Sequence, residues 1–269
     1  MANLSIYQFY AELRGFYLSD KKAKKTIWRR FQVKSNITLS ELGYITQVLF
    51  EMMASHLMKF EQKIAENTYL EYEIPNEETE WMKEHGKQVS KQWAQAMIEK
   101  GYKMNTPIQT YYTDSTKTKL SKVFLKLNDQ IDFEYDFGDS WHVLITLEKV
   151  ITDDVSTIEL PLLLEGEGFG IIEDVGGVYC LKDFEKAIHK KNGKKYNEYI
   201  SWLKCRSMYE WIDFANFDMS TVDLEDLNFR IKKIPRIYKQ IYEKKMRPSI
   251  ASIKLIERHY KIKRGWYPN

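Results

Sequence analysis

The stretch Ile131–Val150, IDFEYDFGDSWHVLITLEKV, constrains the fold more tightly than any other part of the chain. Apolar and polar residues alternate on both sides of Gly138-Asp139-Ser140. A period of two belongs to a half-buried strand, and two such runs around a short turn make a β-hairpin. A two-residue loop would set Asp136 beside Trp141 and mix polar with apolar on both faces. A three-residue loop pairs Phe137 with Trp141, Tyr135 with Val143, Phe133 with Ile145 and Ile131 with Leu147, and one face is then wholly apolar. A one-residue slip would turn that face outward, so the register predicts that Phe133, Tyr135, Phe137, Trp141, Val143 and Ile145 are buried together. Asp132, Glu134 and Asp136 then face Thr146, Leu144 and His142. Asp136 lies opposite His142, where a carboxylate raises the imidazole pKa and orients its ring.

The rest of the chain supplies layers for that face. Ile27–Val33 reads as a strand with Ile27, Arg29, Phe31 and Val33 on one side. Thr38-Leu39-Ser40-Glu41 is a capping box. It opens a helix with Leu42, Ile45, Leu49, Met52 and His56 at helical spacing, running to about Phe60, with His56 packed on the apolar stripe. A second helix is expected from Glu77 to Lys100. Its acidic start suits the helix dipole, Trp81, His85, Val89 and Trp93 form a stripe, and Gly101 stands at the cap position. Residues 102–119 read as loop or edge strand. Glu165–Gly170 and Glu173-Asp174-Val175-Gly176-Gly177 form a tightly turning loop. No Lys-Ser/Thr follows these glycines, which excludes a nucleotide-phosphate loop. Helices are expected over Leu181–Lys191, Tyr196–Met208 and Val222–Tyr242, the last interrupted at Pro235. The fold class is α+β, a mainly antiparallel sheet packed against helices. One domain is expected over residues 1–235, with a helical excursion at about 62–118. A basic extension over 236–269 would pack on it or flank it.

At 269 residues with 14% aromatics the chain can bury a sizeable core, which excludes wholesale disorder. No run of about 18 apolar residues exists and the first residues lack a secretion-signal pattern, so a cytoplasmic protein without membrane contact is expected. Cys180 and Cys205 have no metal-finger spacing and read as two buried thiols, with one long-range disulfide as the alternative. The net charge of +3 is lopsided. Residues 229–269 hold 13 Lys/Arg and 2 Asp/Glu, a balance of +11, and residues 1–228 balance at −8. A basic tail on an acidic body fits a nucleic-acid contact, a helix docked on the body's own acidic surface, or an acidic protein partner.

Four segments together resemble the family named after the third open reading frame of the Ri plasmid, whose members also carry the name insertion-sequence passenger TnpR-like proteins. They are Ile27–Phe31 with the Thr38–Phe60 segment ending His56-Leu57-Met58-Lys59-Phe60; Tyr135–His142, similar to YDFGDxWxH; Glu173–Gly177, similar to PPEDxGG with Ile171-Ile172 in place of the prolines; and Phe217-Asp218 followed by Asp223–Asn228. The resemblance covers roughly residues 10–235. It implies an α+β fold and a mobile-element context: plasmids, transposons and phages. No serine- or tyrosine-recombinase constellation accompanies it.

The residues support three functional readings. The first is a non-enzymatic accessory protein of a mobile element, needing no cofactor, that binds nucleic acid or a host nucleoprotein complex. Its contacts would be Arg29, Arg30, Lys232, Lys233, Arg236, Lys244, Lys245, Arg247, Arg258, Lys261, Lys263 and Arg264, with the Lys21–Arg30 cluster, Trp28, Trp266 and Tyr267 nearby. The second is a metal-dependent hydrolase or nuclease. Asp136, Asp139, His142, Glu173 and Asp174 would supply oxygen and imidazole ligands. The third is a protein-interaction module or inhibitor. The motif cluster shared by all three is Asp136, Gly138, Asp139, Trp141, His142, Glu173, Asp174, Gly176 and Gly177. It is expected to bring the hairpin and the glycine loop together, with Arg29 or Arg30 as counter-charge.

Overall fold

The computed structural model describes residues 5–18, 26–102, 109–152 and 159–261. The elements run β1 (Ile6–Leu13), β2 (Trp28–Lys34), α1 (Leu39–Leu49), β3 (Met58–Ala65), β4 (Thr68–Glu73), α2 (Glu77–Glu99), β5 (Gln109–Asp114), α3 (Leu120–Val123), β6 (Gln130–Tyr135), β7 (Trp141–Ile151), β8 (Leu162–Glu167), α4 (Gly177–Lys190), α5 (Lys194–Lys204), α6 (Leu224–Ile231), α7 (Ile234–Tyr238) and α8 (Ile250–Ile256). A single π-helical turn over Lys239–Glu243 continues α7. The strands form one sheet in the order β5-β4-β3-β6-β7-β1-β2-β8. Every described pairing is antiparallel except β4 with β5, so the fold is α+β with a mainly antiparallel sheet.

The hairpin joins β6 to β7, in a register two residues from the expected one. Tyr135 pairs with Trp141, Phe133 with Val143 and Ile131 with Ile145. An even slip preserves the parity of the faces. Phe133, Tyr135, Trp141, Val143 and Ile145 are therefore all buried, as expected. Phe137 is not. It falls in a five-residue loop, 46% exposed. Asp136 makes that loop: at φ 55° its Oδ1 accepts from Gly138 N at 3.0 Å, and its carbonyl accepts from Ser140 N at 2.6 Å. The Asp136 side chain closes its own turn. His142 consequently stands opposite Glu134, not Asp136.

Helix α1 has ten of its eleven residues buried, all but Glu41, so it needs a layer on both sides. The sheet supplies one, and α6 and α7 supply the other. Thr38 caps it by accepting from Glu41 N at 3.3 Å. The helix stops at Leu49 and does not reach Phe60. Two distant groups take its last carbonyls: Arg29 Nε donates to Leu49 O at 2.7 Å and Ile171 N to Phe50 O at 2.9 Å. Glu51 and Ala54 then turn left-handed, at φ 61° and 54°. His56 is thereby carried off the helix into the loop before β3.

The expected helical excursion contains a β3–β4 hairpin, α2 and edge strand β5. Asn76 caps α2, accepting from Thr79 N at 2.8 Å. Its Trp81 and Trp93 are half exposed, while Thr79, Gly86 and Ala94 are buried, so the tryptophan stripe is not its packing face. The division expected at 235/236 falls inside α7, where Ile234, Pro235, Ile237 and Tyr238 are buried and Tyr238 meets Tyr44 of α1 edge-on at 5.5 Å. Cys180 is half-buried and Cys205 exposed, which corrects the reading of both as buried; both are free thiols.

Arg29, fully buried, holds the end of α1 to β8. Its Nε takes Leu49 O; Nη1 donates to Trp28 O and Glu167 O, both at 2.8 Å; Nη2 donates to Gly168 O and Phe169 O, both at 2.7 Å. All five N–H donors of the guanidinium meet backbone carbonyls. Burial lowers its pKa to about 10, which leaves it charged at neutral pH. Gly166 permits this approach, since a Cβ there would lie 2.9 Å from Arg29 Cδ.

Candidate functional site

The hairpin loop and the glycine loop meet. Asp139 Oδ2 accepts from Gly176 N at 3.1 Å. Gly177, at φ 74°, lets the backbones touch, because a Cβ there would stand 2.6 Å from Asp139 O. Trp141, the first residue of β7 and the partner of Tyr135, is 1% exposed.

Glu173 forms the floor of the site. It is buried, and donors surround its carboxylate: Tyr135 OH at 2.5 Å and Ser55 Oγ at 2.7 Å on Oε1, and Met53 N at 3.1 Å on Oε2. Its own N–H donates to Tyr209 OH at 2.6 Å. Burial raises the Tyr135 and Tyr209 phenols above the usual tyrosine range, and at Tyr135 the Glu173 charge adds to the effect. Tyr135 therefore stays a donor, and the buried carboxylate is satisfied without a metal.

His56 sits at the centre. Its Nε2 is 3.3 Å from Asp174 Oδ1, 3.5 Å from Asp136 Oδ2 and 3.6 Å from Glu173 Oε1. The ring meets Tyr135 edge-on at 5.8 Å. Arg206 Nη1 donates to Asp174 Oδ2 at 2.5 Å and stacks over Trp202 at 4.5 Å. Partial burial opposes ionisation of Asp174, but the hydrogen bonds from Arg206 and His56 outweigh it and hold the carboxyl below its ordinary range. His56 also lines a cavity of roughly 300 Å³ with Tyr44, Gln47, Glu73, Phe137 and Tyr242.

Of the candidate ligands, Asp136, Glu173 and Asp174 converge. Asp139 instead ties the glycine loop. His142 lies on another face of the sheet, 2.6 Å from Asp132 and 3.0 Å from Ser140 Oγ, because the five-residue loop moves Asp136 out of the strand. Neither arginine of β2 is the counter-charge. Arg29 is committed to carbonyls, and Arg30 binds Glu148 and Glu165, each at 2.7 Å. Arg206 takes that role, on Asp174. The sequence signal for His56 was its place in the His56–Phe60 segment, obscured by the apparent helical stripe. Arg206 had no signal of its own.

The basic residues separate into two groups. Arg230 and Arg258 are buried beside Glu51 and Asp226: Arg230 reaches Glu51 at 2.8 Å, and Arg258 pairs with Glu51, reaches Asp226 at 3.3 Å and stacks on Trp211 at 3.9 Å. Lys261 joins Asp226 at 3.2 Å. These residues fasten the C-terminal segment to the acidic body. Lys233, Arg236, Lys244, Lys245, Arg247 and Lys254 are exposed, and Lys232, also exposed, reaches Glu159 at 2.5 Å. Lys232, Lys233, Arg236 and Lys254 line a groove of roughly 650 Å³ with Phe229 and Tyr260. The two rings lie 5.3 Å apart, and Lys233 Nζ sits 3.7 Å above Phe229. No acidic side chain lines this groove among the described residues. Lys21–Lys25, Lys263, Arg264, Trp266 and Tyr267 lie outside the described residues. Among the described residues, no helix is long and apolar enough to cross a membrane.

Residues 16–226 match the family described as plasmid pRiA4b ORF-3-like protein. The chain is similar to the uncharacterized protein y4hQ of Sinorhizobium fredii (strain NBRC 101917 / NGR234), at 33% identity over 93 residues, 35% of this chain and 46% of that relative. The match thus spans less than half of the relative's length. The fold resembles the crystal structure of a protein of unknown function, MM3350, from Methanosarcina mazei Go1. The TM-score is 0.58 at 20% identity, covering 83% of this chain and 97% of the other.

Proposed function

This chain belongs to the plasmid pRiA4b ORF-3-like family, and on that premise we propose that it is a mobile-element accessory protein that binds single-stranded nucleic acid in its C-terminal groove. One observation carries the reading: four cationic side chains flank an aromatic pair, Phe229 and Tyr260, in a groove without carboxylates among the described residues. Cations follow a phosphate backbone and rings stack on bases, and neither contact requires a particular sequence. The alternative in which the tail only neutralises the acidic body accounts for Arg230, Arg258, Lys261 and Lys232, which pairs with Glu159, and leaves Lys233, Arg236 and Lys254 unexplained.

The test is a fluorescence-anisotropy titration with labelled 20-residue DNA and RNA strands at several salt concentrations. Contacts to about three or four phosphates give a log–log salt slope of about −2 to −3 on a single strand, a roughly 20- to 50-fold loss from 50 to 200 mM. Charge reversal at Lys233 and Arg236 should weaken binding for every sequence alike. Absence of binding at 50 mM salt, or binding indifferent to salt, refutes the proposal and points to a protein partner.

A further inference from the structure

We propose that His56, Asp136 and Asp174 form a binding site for a divalent transition cation, such as Zn²⁺ or Mn²⁺, at the mouth of the cavity beneath the hairpin loop. The three ligand atoms all lie within 4.8 Å of one another. Each carboxylate has one oxygen held by the protein and the other turned to the histidine. Asp136 Oδ1 accepts from Gly138 N at 3.0 Å, while Oδ2 faces His56 Nε2 at 3.5 Å and has no hydrogen-bond donor among the described residues. Asp174 Oδ2 is held by Arg206, and Oδ1 faces the same nitrogen at 3.3 Å. Glu173 belongs to the floor, because donors already occupy both of its oxygens. What remains directed at one point is an imidazole nitrogen and two carboxylate oxygens. That donor set suits borderline-to-hard cations.

The spacing fits. Ligand atoms about 2.1 Å from a shared ion, at tetrahedral to octahedral angles, stand about 3.0–3.4 Å apart. The two edges that meet at His56 measure 3.3 and 3.5 Å. The third edge joins two like-charged carboxylates, which a cation between them would draw in. An imidazole binds a metal through an unprotonated nitrogen, so the ion would take Nε2 with the ring proton on Nδ1. Arg206 and the loop amides hold the ligands from behind, as outer-shell partners do.

A second observation points to a ligand here. Asp136 turns its Oδ2 into the cluster from a side chain that is 12% exposed. The adjoining cavity, which shares Ser55 and His56, is also lined by Tyr44 and Gln47. Tyr44 OH and Gln47 Oε1 are buried without a hydrogen-bond partner. Buried polar atoms left unpaired are costly, so they mark where a polar ligand is accommodated.

The experiment is calorimetric titration of the EDTA-treated full chain with Zn²⁺ and, separately, Mn²⁺, with the Mn²⁺ EPR signal as an independent readout. The expected result is one equivalent bound. Loss of affinity by more than about 100-fold is expected in His56→Ala and in Asp174→Asn, since outer-shell groups alone account for about 10- to 100-fold. Circular dichroism and melting of each variant establish that the fold persists. Should His56→Ala fail to fold, Asp174→Asn decides, because that side chain is 41% exposed. The site is refuted if the wild-type chain takes up no stoichiometric ion at millimolar concentration. It is equally refuted if a folded Asp174→Asn retains wild-type affinity, which would assign the ion to other histidines or the free thiols.

Discussion

Substituting Arg29 by methionine keeps most of the side-chain volume and removes five N–H donors at once. The carbonyls of Leu49, Trp28, Glu167, Gly168 and Phe169 lose these partners. A buried acceptor left bare costs about 1–3 kcal/mol, but the five do not add. Removing the guanidinium also relieves the cost of keeping a charge away from water, and water entering near β8 re-pairs some of the carbonyls. Hydrogen bonds to a charged group contribute about 1.5–3 kcal/mol each, so with this partial compensation a net loss of about 3–5 kcal/mol is expected. For a chain somewhat above 250 residues, each kcal/mol lowers the melting temperature by about 2–4 °C, so a drop of roughly 10–15 °C should appear in calorimetry. Arg29→Lys retains three donors and should fall between wild type and methionine. The damage should be localised. Limited proteolysis should first open the glycine-rich segment after β8 and the loop after α1, the two regions that Arg29 joins. A melting shift of less than about 3 °C in Arg29→Met would mean a loss of about 1 kcal/mol or less, and would refute the claim that this side chain secures the site's scaffold.

Trp141→Ala should cost about 3–5 kcal/mol in urea denaturation, because the indole is 1% exposed; a loss below about 1 kcal/mol would contradict that burial. For His142, the hydrogen bond from the ring to Asp132 raises the pKa, Glu134 adds to the effect, and burial and Arg14 oppose it. A group raised in the folded state contributes stability below its unfolded value, about 6.5, and that contribution is lost as pH rises through the folded value. The melting advantage of wild type over His142→Gln should therefore be largest near about pH 5 and vanish by about pH 9, with a size under about 1 kcal/mol because the ring is 40% exposed. An advantage that grows with pH would reverse the assignment.

The alternation in Ile131–Val150 determined by itself which side chains face inward, because a period of two survives any even slip between strands. It could not determine loop length. That depended on Asp136 adopting a left-handed conformation and closing the turn with its own carboxylate, which moved Phe137 into solvent and separated Asp136 from His142. The capping boundary at Thr38 was equally legible, since a helix start is a local contact across three residues. Its end was not. Leu49, Met52 and His56 continue the helical spacing, yet Arg29 from a distant strand and Ile171 from the glycine loop take the last carbonyls and turn the chain aside. The place of His56 among three carboxylates follows from that nonlocal termination. Composition alone showed that the C-terminal segment is basic. Only tertiary packing decided that Arg230, Arg258 and Lys261 neutralise Glu51 and Asp226, while Lys233, Arg236 and Lys254 are left along the groove. Charge pairing depends on distance and burial in three dimensions, and neither is encoded in the order of residues along one stretch of chain.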